Sequence, residues 1–506
     1  MKLATVLSLS FFLVGGLFVS AATNQITTNS ISEAERLDGL NFTPAKRELM
    51  LEGMQKQELA YEAMRKIPLP NSVLPSVLFN PIPTGMKLAT KSLRCKWSPL
   101  PRLERPKDIE EVAFYSIGQL SALIKARKIT SEELTRMYLE RLKKFGPKLE
   151  CVVTLTEDLA LAQARRADKE IAAGKYRGPL HGIPYGVKDL LATKGIKTTW
   201  GSAVFKDQVF AEDATVVKRL EAAGAVLVAK LSMGELAWGD VWFGGKTRNP
   251  WNIKNGSSGS SAGPASATSA GLVAFAIGSE THGSIISPST TCGVTGLRPT
   301  YGRVSRTGAM TLSWTMDKLG PIARTVEDCA IVLDAIRGPD GIDPTVYDVP
   351  FNYRPAVNLT KLRIGYLKKD FEAGKKPNDL LVLAKLESLG AKLIPIELPK
   401  VPWAISMTLD VEAATAFDAL TRNNQDDLLV RQMRAAWPNV FRKAQLIPAV
   451  EYLQAQRIRT LLIQDMAKVM QEVDVYVTPS EASDNLFLTN MTGHPAGLYF
   501  LARVRS

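Results

Sequence analysis

The sequence predicts an α/β sandwich, a sheet covered by helices on both faces. Two observations carry that expectation. Short, largely apolar runs recur along the chain: IPYGV at 183–187, VLVA at 226–229, RIGYL at 363–367 and VDVYVTP at 473–479. Strands without a polar face must be covered twice. Between these runs lie segments with helical periodicity and capping signals, which supply the covering layers. At 506 residues, 45% hydrophobic and 22% charged, the chain is long enough to bury such a core.

The elements follow in order. Met1-Lys2, the apolar run Leu3 to Val19 and the small residues Ser20-Ala21-Ala22 read as a signal peptide over residues 1–22. That implies a secreted or periplasmic protein with no stable membrane span after cleavage. Residues 23–108 read as an N-terminal extension. Its first part, Ser32 to Ile67, is mostly helical, with Leu49, Met54, Leu59 and Met64 among charged neighbours. Prolines 68, 70, 75, 81 and 83 and the stretch WSPLPRLERP then suggest an extended strap laid over a larger body, residues 109–506. In that body Thr130-Ser131-Glu132-Glu133 is a capping box for a helix with Leu134, Tyr138 and Leu142 on one face. Gly146-Pro147 is read as its stop, and Thr156 as the cap of a second helix ending near Gly174. The run ATSAGLVAFAIGS, 267–279, reads as helix-like.

Lys+Arg exceed Asp+Glu by 63 to 50, a net charge of +13. The basic pairs, such as Arg127/Lys128, Arg165/Arg166 and Lys368/Lys369, are scattered and lack interleaved aromatics. This pattern fits a solvated basic surface and argues against a nucleic-acid partner. Cys95, Cys151, Cys292 and Cys329 show no C-x-x-C spacing and read as free thiols, with any disulfide connectivity left open. His181, His282 and His494 lie far apart, so no metal is expected. No phosphate-loop or dinucleotide fingerprint is present, and no cofactor is expected.

Three segments carry candidate chemistry. HGIPYGVKDL brings Lys188 to the end of an apolar run, where burial would make the amine a base. NGSSGSSAGPASATSAG, 255–271, reads on composition as a linker, a phosphate loop or a catalytic loop. GSETHGSIISPSTTCGVTGLRP, 278–299, surrounds Ser284 with small residues, as a tight turn exposing a hydroxyl and backbone N–H groups requires. A Ser-His-Asp triad stays open, although no G-x-S-x-G elbow occurs.

In this order and spacing, together with Leu488-Thr489-Asn490 and Thr492-Gly493-His494-Pro495, the three segments resemble the amidase signature family. The resemblance runs from about Ile109 to Pro495. It implies an α/β/α sandwich around a large, mixed, twisted sheet and a Ser-Ser-Lys triad. Ser284 matches the nucleophile and Lys188 the base. Ser260 matches the bridging serine, because it stands 24 residues before Ser284 and 11 after Asn249. The resemblance further implies a cis peptide between Gly259 and Ser260 and a supporting role for Ser261. It also implies an oxyanion hole from the N–H groups of Thr281, His282, Gly283 and Ser284. Asp189 is expected to cap backbone. By this alignment the first Gly-Ser-Ser, Gly256 to Ser258, is a spacer.

The chain departs from the family pattern at Ser258 and His282, where glycine is usual, and at Ala262-Gly263-Pro264, where Gly-Gly-Ser is usual. After GHPA the family continues through further core strands, whereas this chain reads GLYFLARVRS, so truncated C-terminal strands are expected. The implied function is an exported amidase that hydrolyses small carboxamides through an acyl-enzyme, with a homo-oligomer left open. The signal peptide argues against the tRNA-dependent amidotransferase branch. Two alternatives stand beside it: a catalytically impaired member serving as a binding or surface protein, and an esterase using the same triad. Substrate-pocket walls are expected from the N-terminal extension and from segments around 402–450.

Overall fold

A seven-stranded sheet organises the molecule. Its order is Val152–Leu155, Val226–Leu231, Pro184–Lys188, Phe275–Glu280, Lys318–Ala323, Thr295–Arg298 and Ala496–Leu498. Pro184–Lys188 runs parallel to both of its neighbours, and the remaining pairs are antiparallel. The sheet is mixed, as expected. The computed structural model describes residues 26–37, 39–67, 79–374, 377–480 and 482–498. Residues 1–22, read from the sequence as a signal peptide, Pro68, Pro70, Pro75 and the tail beyond Leu498 lie outside the described residues.

Alternation of side chains along a strand explains why helices cover both faces. Leu227, Phe275 and Ile277 join Val216 and Leu220 of the helix Thr215–Ala222 and Val332 of Val326–Ile336 in one core, while Val226, Val228 and Ala276 join Leu139, Leu142, Ala160 and Ala164 in another. Of the five inner strands, Val226–Leu231, Pro184–Lys188, Phe275–Glu280 and Lys318–Ala323 are buried at every residue, and Thr295–Arg298 at all but Leu297. Arg363–Tyr366 forms a separate three-stranded parallel sheet between Lys392–Pro395 and Val475–Val477.

Several local expectations need correction. The helix capped by Thr130 spans Ser131–Leu149 and passes through Gly146-Pro147. Gly146 serves packing rather than termination, since a Cβ there would stand 2.9 Å from Val152 Cγ2. The helix ends at Glu150, in the left-handed region at φ 49°. Thr156 precedes the helix Glu157–Ala172, but its hydroxyl does not cap it; Oγ1 donates to the Leu227 carbonyl at 2.6 Å. The run 267–279 is split: a helix Ala262–Ser269 ends before Gly271 (φ 66°), and Phe275–Glu280 is the middle strand of the sheet.

The extension contains two helices, Thr28–Leu37 and Pro44–Arg65, the second capped by Thr43. From Phe79 onward the chain is extended and fastened to the body. Leu93 N–H donates to Asn352 Oδ1 at 2.8 Å, Lys96 N–H to the Tyr353 carbonyl at 3.1 Å and Ser98 N–H to Glu327 Oε1 at 2.8 Å. All four cysteines are free, three of them buried. Among the described residues there is no cluster of three metal-ligating side chains, and no helix is long and apolar enough to cross a membrane.

Candidate active site

Lys188 is the last residue of its strand, and Ser279 lies near the end of the parallel neighbour Phe275–Glu280. Parallel strands thus deliver both side chains at their carboxyl ends, where open α/β sheets place ligands. Lys188 Nζ donates to Ser260 Oγ at 2.8 Å and to Ser279 Oγ at 2.9 Å. Lys188 is fully buried, and no carboxylate among the described residues forms an ion pair with it. Burial lowers its pKa to about 7, against the opposing pull of Asp317 and Glu280. The next residue projects to the other face of the strand. There Asp189 accepts from Thr199 N–H at 2.8 Å and lies 3.2 Å from Lys230 Nζ, the capping role expected of it.

Ser260 follows a cis peptide from Gly259, as the resemblance implied. Only glycine fits at 259, because a Cβ would fall 1.8 Å from the Gly239 carbonyl oxygen. Ser258, where glycine is usual, adopts φ 60°. Ser261 fastens the loop to two segments. Its N–H donates to the Ser284 carbonyl at 3.0 Å, and its hydroxyl donates to the Ser279 carbonyl at 3.0 Å while accepting from Ser279 N–H at 3.1 Å. Lys188 and Ser260 are therefore in direct contact, and Ser261 ties the backbone of Ser284 to the same loop. The spacer serine Ser257 is buried and donates to the Ser258 carbonyl.

The turn carrying Ser284 is shaped by Glu280. Its carboxylate accepts from Ile285 N–H at 2.8 Å and Ile286 N–H at 2.9 Å, closing the loop behind the serine. Arg298 Nη1 and Asn490 Nδ2 donate to its other oxygen at 2.6 and 2.8 Å. Burial pushes this carboxyl up, but Arg298 and Lys318 outweigh it and hold the pKa down at about 2. The N–H groups of His282, Gly283 and Ser284 have no hydrogen-bond partner among the described residues. Gly283 takes φ 89°. Ser284 itself is 8% exposed. His282 is an exposed residue whose ring lies 5.2 Å from the Phe487 ring, and partial desolvation lowers its pKa. None of the three histidines hydrogen-bonds Ser284. His181 Nδ1 accepts from Arg177 N–H at 3.1 Å, and His494 Nδ1 lies 2.8 Å from Thr492 Oγ1.

Beside the cluster lies a cavity of about 440 Å³, bordered by Ser279 and Thr281 and walled by Leu190, Met310, Leu312 and Trp314. The N-terminal extension contributes Phe79 to it, as expected. Residues 402–450 do not line it. They support the wall from behind, where Glu412 accepts from Ser313 Oγ at 2.6 Å and Thr315 N–H at 3.0 Å. Four site residues escaped the sequence reading: Ser279, Glu280, Arg298 and Asp317.

The Amidase family profile matches residues 133–503. The chain belongs to the amidase family. As a member it is an enzyme of amide carbon–nitrogen bonds. Its curated relatives include glutamyl-tRNA(Gln) amidotransferase subunits from two bacteria. That of Moorella thermoacetica is 36% identical over 420 residues, or 77% of this chain and 86% of the relative. That of Methylococcus capsulatus is 37% identical over 416 residues, covering 76% and 86%. Among solved structures, the peptide amidase of Stenotrophomonas maltophilia matches with a TM-score of 0.67 and 28% identity, over 77% of this chain and 90% of that one.

Proposed function

We propose that this amidase-family enzyme hydrolyses a small carboxamide through an acyl-enzyme on Ser284, with Ser260 as the proton relay and Lys188 as the base. The observation that carries the reading is the buried contact of 2.8 Å between Lys188 Nζ and Ser260 Oγ. With a pKa near 7, about half of Lys188 is neutral at neutral pH. In that form the hydroxyl donates to the amine, the reverse of the direction in the protonated form. Ser260 then passes its proton to Lys188 while taking that of Ser284. Ser284 Oγ attacks the amide carbonyl, and the returned proton leaves with the nitrogen. Water repeats the sequence and frees the acid. The unengaged N–H groups at 282–284 suit the oxyanion, a contribution of about 10²–10³ in rate per donor.

Fluorophosphonate labelling tests the reading. Wild-type protein is expected to be labelled at Ser284, and Ser284→Ala to lose both labelling and amide turnover; turnover that survives would remove Ser284 from the mechanism. Parallel turnover of a matched ester and amide separates amidase from esterase. The Leu3–Val19 run supports export, and N-terminal sequencing of the mature protein tests it.

A second reading rests on the curated relatives, which are amidotransferase subunits. Under it the chain would release ammonia from an amide donor as part of a complex. Activity of the isolated chain on simple carboxamides favours the first reading; activity that requires a co-purifying partner favours the second.

A further inference from the structure

Most of the buried charges around the cluster are neutralised by contact. Glu280 pairs with Arg298 at 2.6 Å, and Asp189 lies 3.2 Å from Lys230. Asp317 has no such partner among the described residues. It lines the cavity, and its two oxygens face different structures. Oδ1 accepts from Thr281 Oγ1 at 2.6 Å, at the head of the turn that carries Ser284. Oδ2 accepts from Leu312 N–H at 2.8 Å and Ser313 N–H at 3.0 Å, in the cavity wall.

We propose that Asp317 is a positioning residue: its carboxylate ties the Ser284 turn to the cavity wall, and its negative charge favours the protonated form of Lys188. The inference rests on the reading of Ser284 and Lys188 above. The wall to which Asp317 is tied is itself fixed. Glu412 accepts from Ser313 and Thr315, and Arg459 Nη1 donates to Thr315 Oγ1 at 2.7 Å. A shift of Thr281 must therefore break a hydrogen bond to a rigid partner.

The other charged groups facing this region are already engaged. Glu280 is bound by Arg298, and Lys318 Nζ reaches the Thr281 carbonyl at 3.4 Å. Arg306 is held by Asp343 at 3.0 Å, and Arg459 Nε donates to the Met491 carbonyl at 2.6 Å. Asp317 and Glu280 both favour the protonated form of Lys188, and of the two only Asp317 lacks a contacting cation. Removing its charge makes Lys188 easier to deprotonate.

The test is the rate of Ser284 labelling by a fluorophosphonate against pH, in wild type, Asp317→Asn, Asp317→Glu and Thr281→Val. The wild-type rate should rise with pH as Lys188 becomes neutral. Asp317→Asn should move that rise toward acid by about 1 pH unit and lower the plateau about tenfold or more. Thr281→Val should lower the plateau and leave the rise in place, and Asp317→Glu should restore the rise. A purely structural role would lower rates without moving the rise, so an unmoved rise in Asp317→Asn overturns the proposal. Should that variant fail to fold, Thr281→Val decides: an undiminished plateau overturns it. Absence of any label on wild-type Ser284 would instead overturn the nucleophile reading itself.

Discussion

Replacing Lys188 with methionine should stabilise the protein in acid and destabilise it in base. Lowering the lysine pKa from 10.5 to about 7 corresponds to about 5 kcal/mol between its two protonation states. Below pH 7 the amine is protonated in both folded and unfolded chains, so the whole cost of burying the charge is present. Between pH 7 and 10.5 only the unfolded chain retains the proton, and wild-type stability rises by about 1.4 kcal/mol per pH unit from this group. Above that window the cost is gone. Methionine carries no such linkage but loses the bonds to Ser260 and Ser279, about 1 kcal/mol each. The variant should therefore exceed wild type by about 3 kcal/mol near pH ~6, and the two curves should cross near pH ~9. Urea denaturation across that range measures the difference, while fluorophosphonate labelling of the variant should be lost. A stability difference that does not change with pH would refute the placement of a titrating lysine in this core.

Two further substitutions probe the loops that hold the cluster. Ser258→Gly should raise stability by about 1 kcal/mol, because Ser258 is held at φ 60°, a conformation that costs an L-residue about 1–2 kcal/mol; a lower urea midpoint would contradict it. Glu280→Gln removes the charge opposing buried Arg298 and should cost about 3–5 kcal/mol. The same variant loosens the 281–284 turn and should slow labelling of Ser284; a midpoint and labelling rate equal to wild type would show that the turn is held by other contacts.

Lys188, Ser260 and Ser284 were legible in the sequence because each sits in a short motif with fixed spacing to the next. Glu280, Arg298 and Asp317 were not, because their meeting depends on strand register. Glu280 faces Lys318 across one ladder, and Arg298 sits on a strand beyond it. Spacing along the chain carries no trace of that pairing. The run 267–279 failed for a different reason: a short apolar segment fits a buried helix and a buried strand equally well. Its Gly271 marked the boundary, and the strand began four residues later. Pro147 misled because the i→i−4 hydrogen bond it forfeits is outweighed by packing of the last turn, where Gly146 closely approaches Val152.

Phe79 belongs to the strap, 54 residues ahead of where the family match begins at 133, yet it walls the cavity. It stands edge-on to Tyr301 at 4.7 Å, beneath the Arg459 guanidinium at 3.7 Å. The shape of the chamber is thus divided between the segment that matches the family profile and a strap that precedes it. A single change at Phe79 can therefore alter what the chamber admits while every residue from 133 onward stays the same.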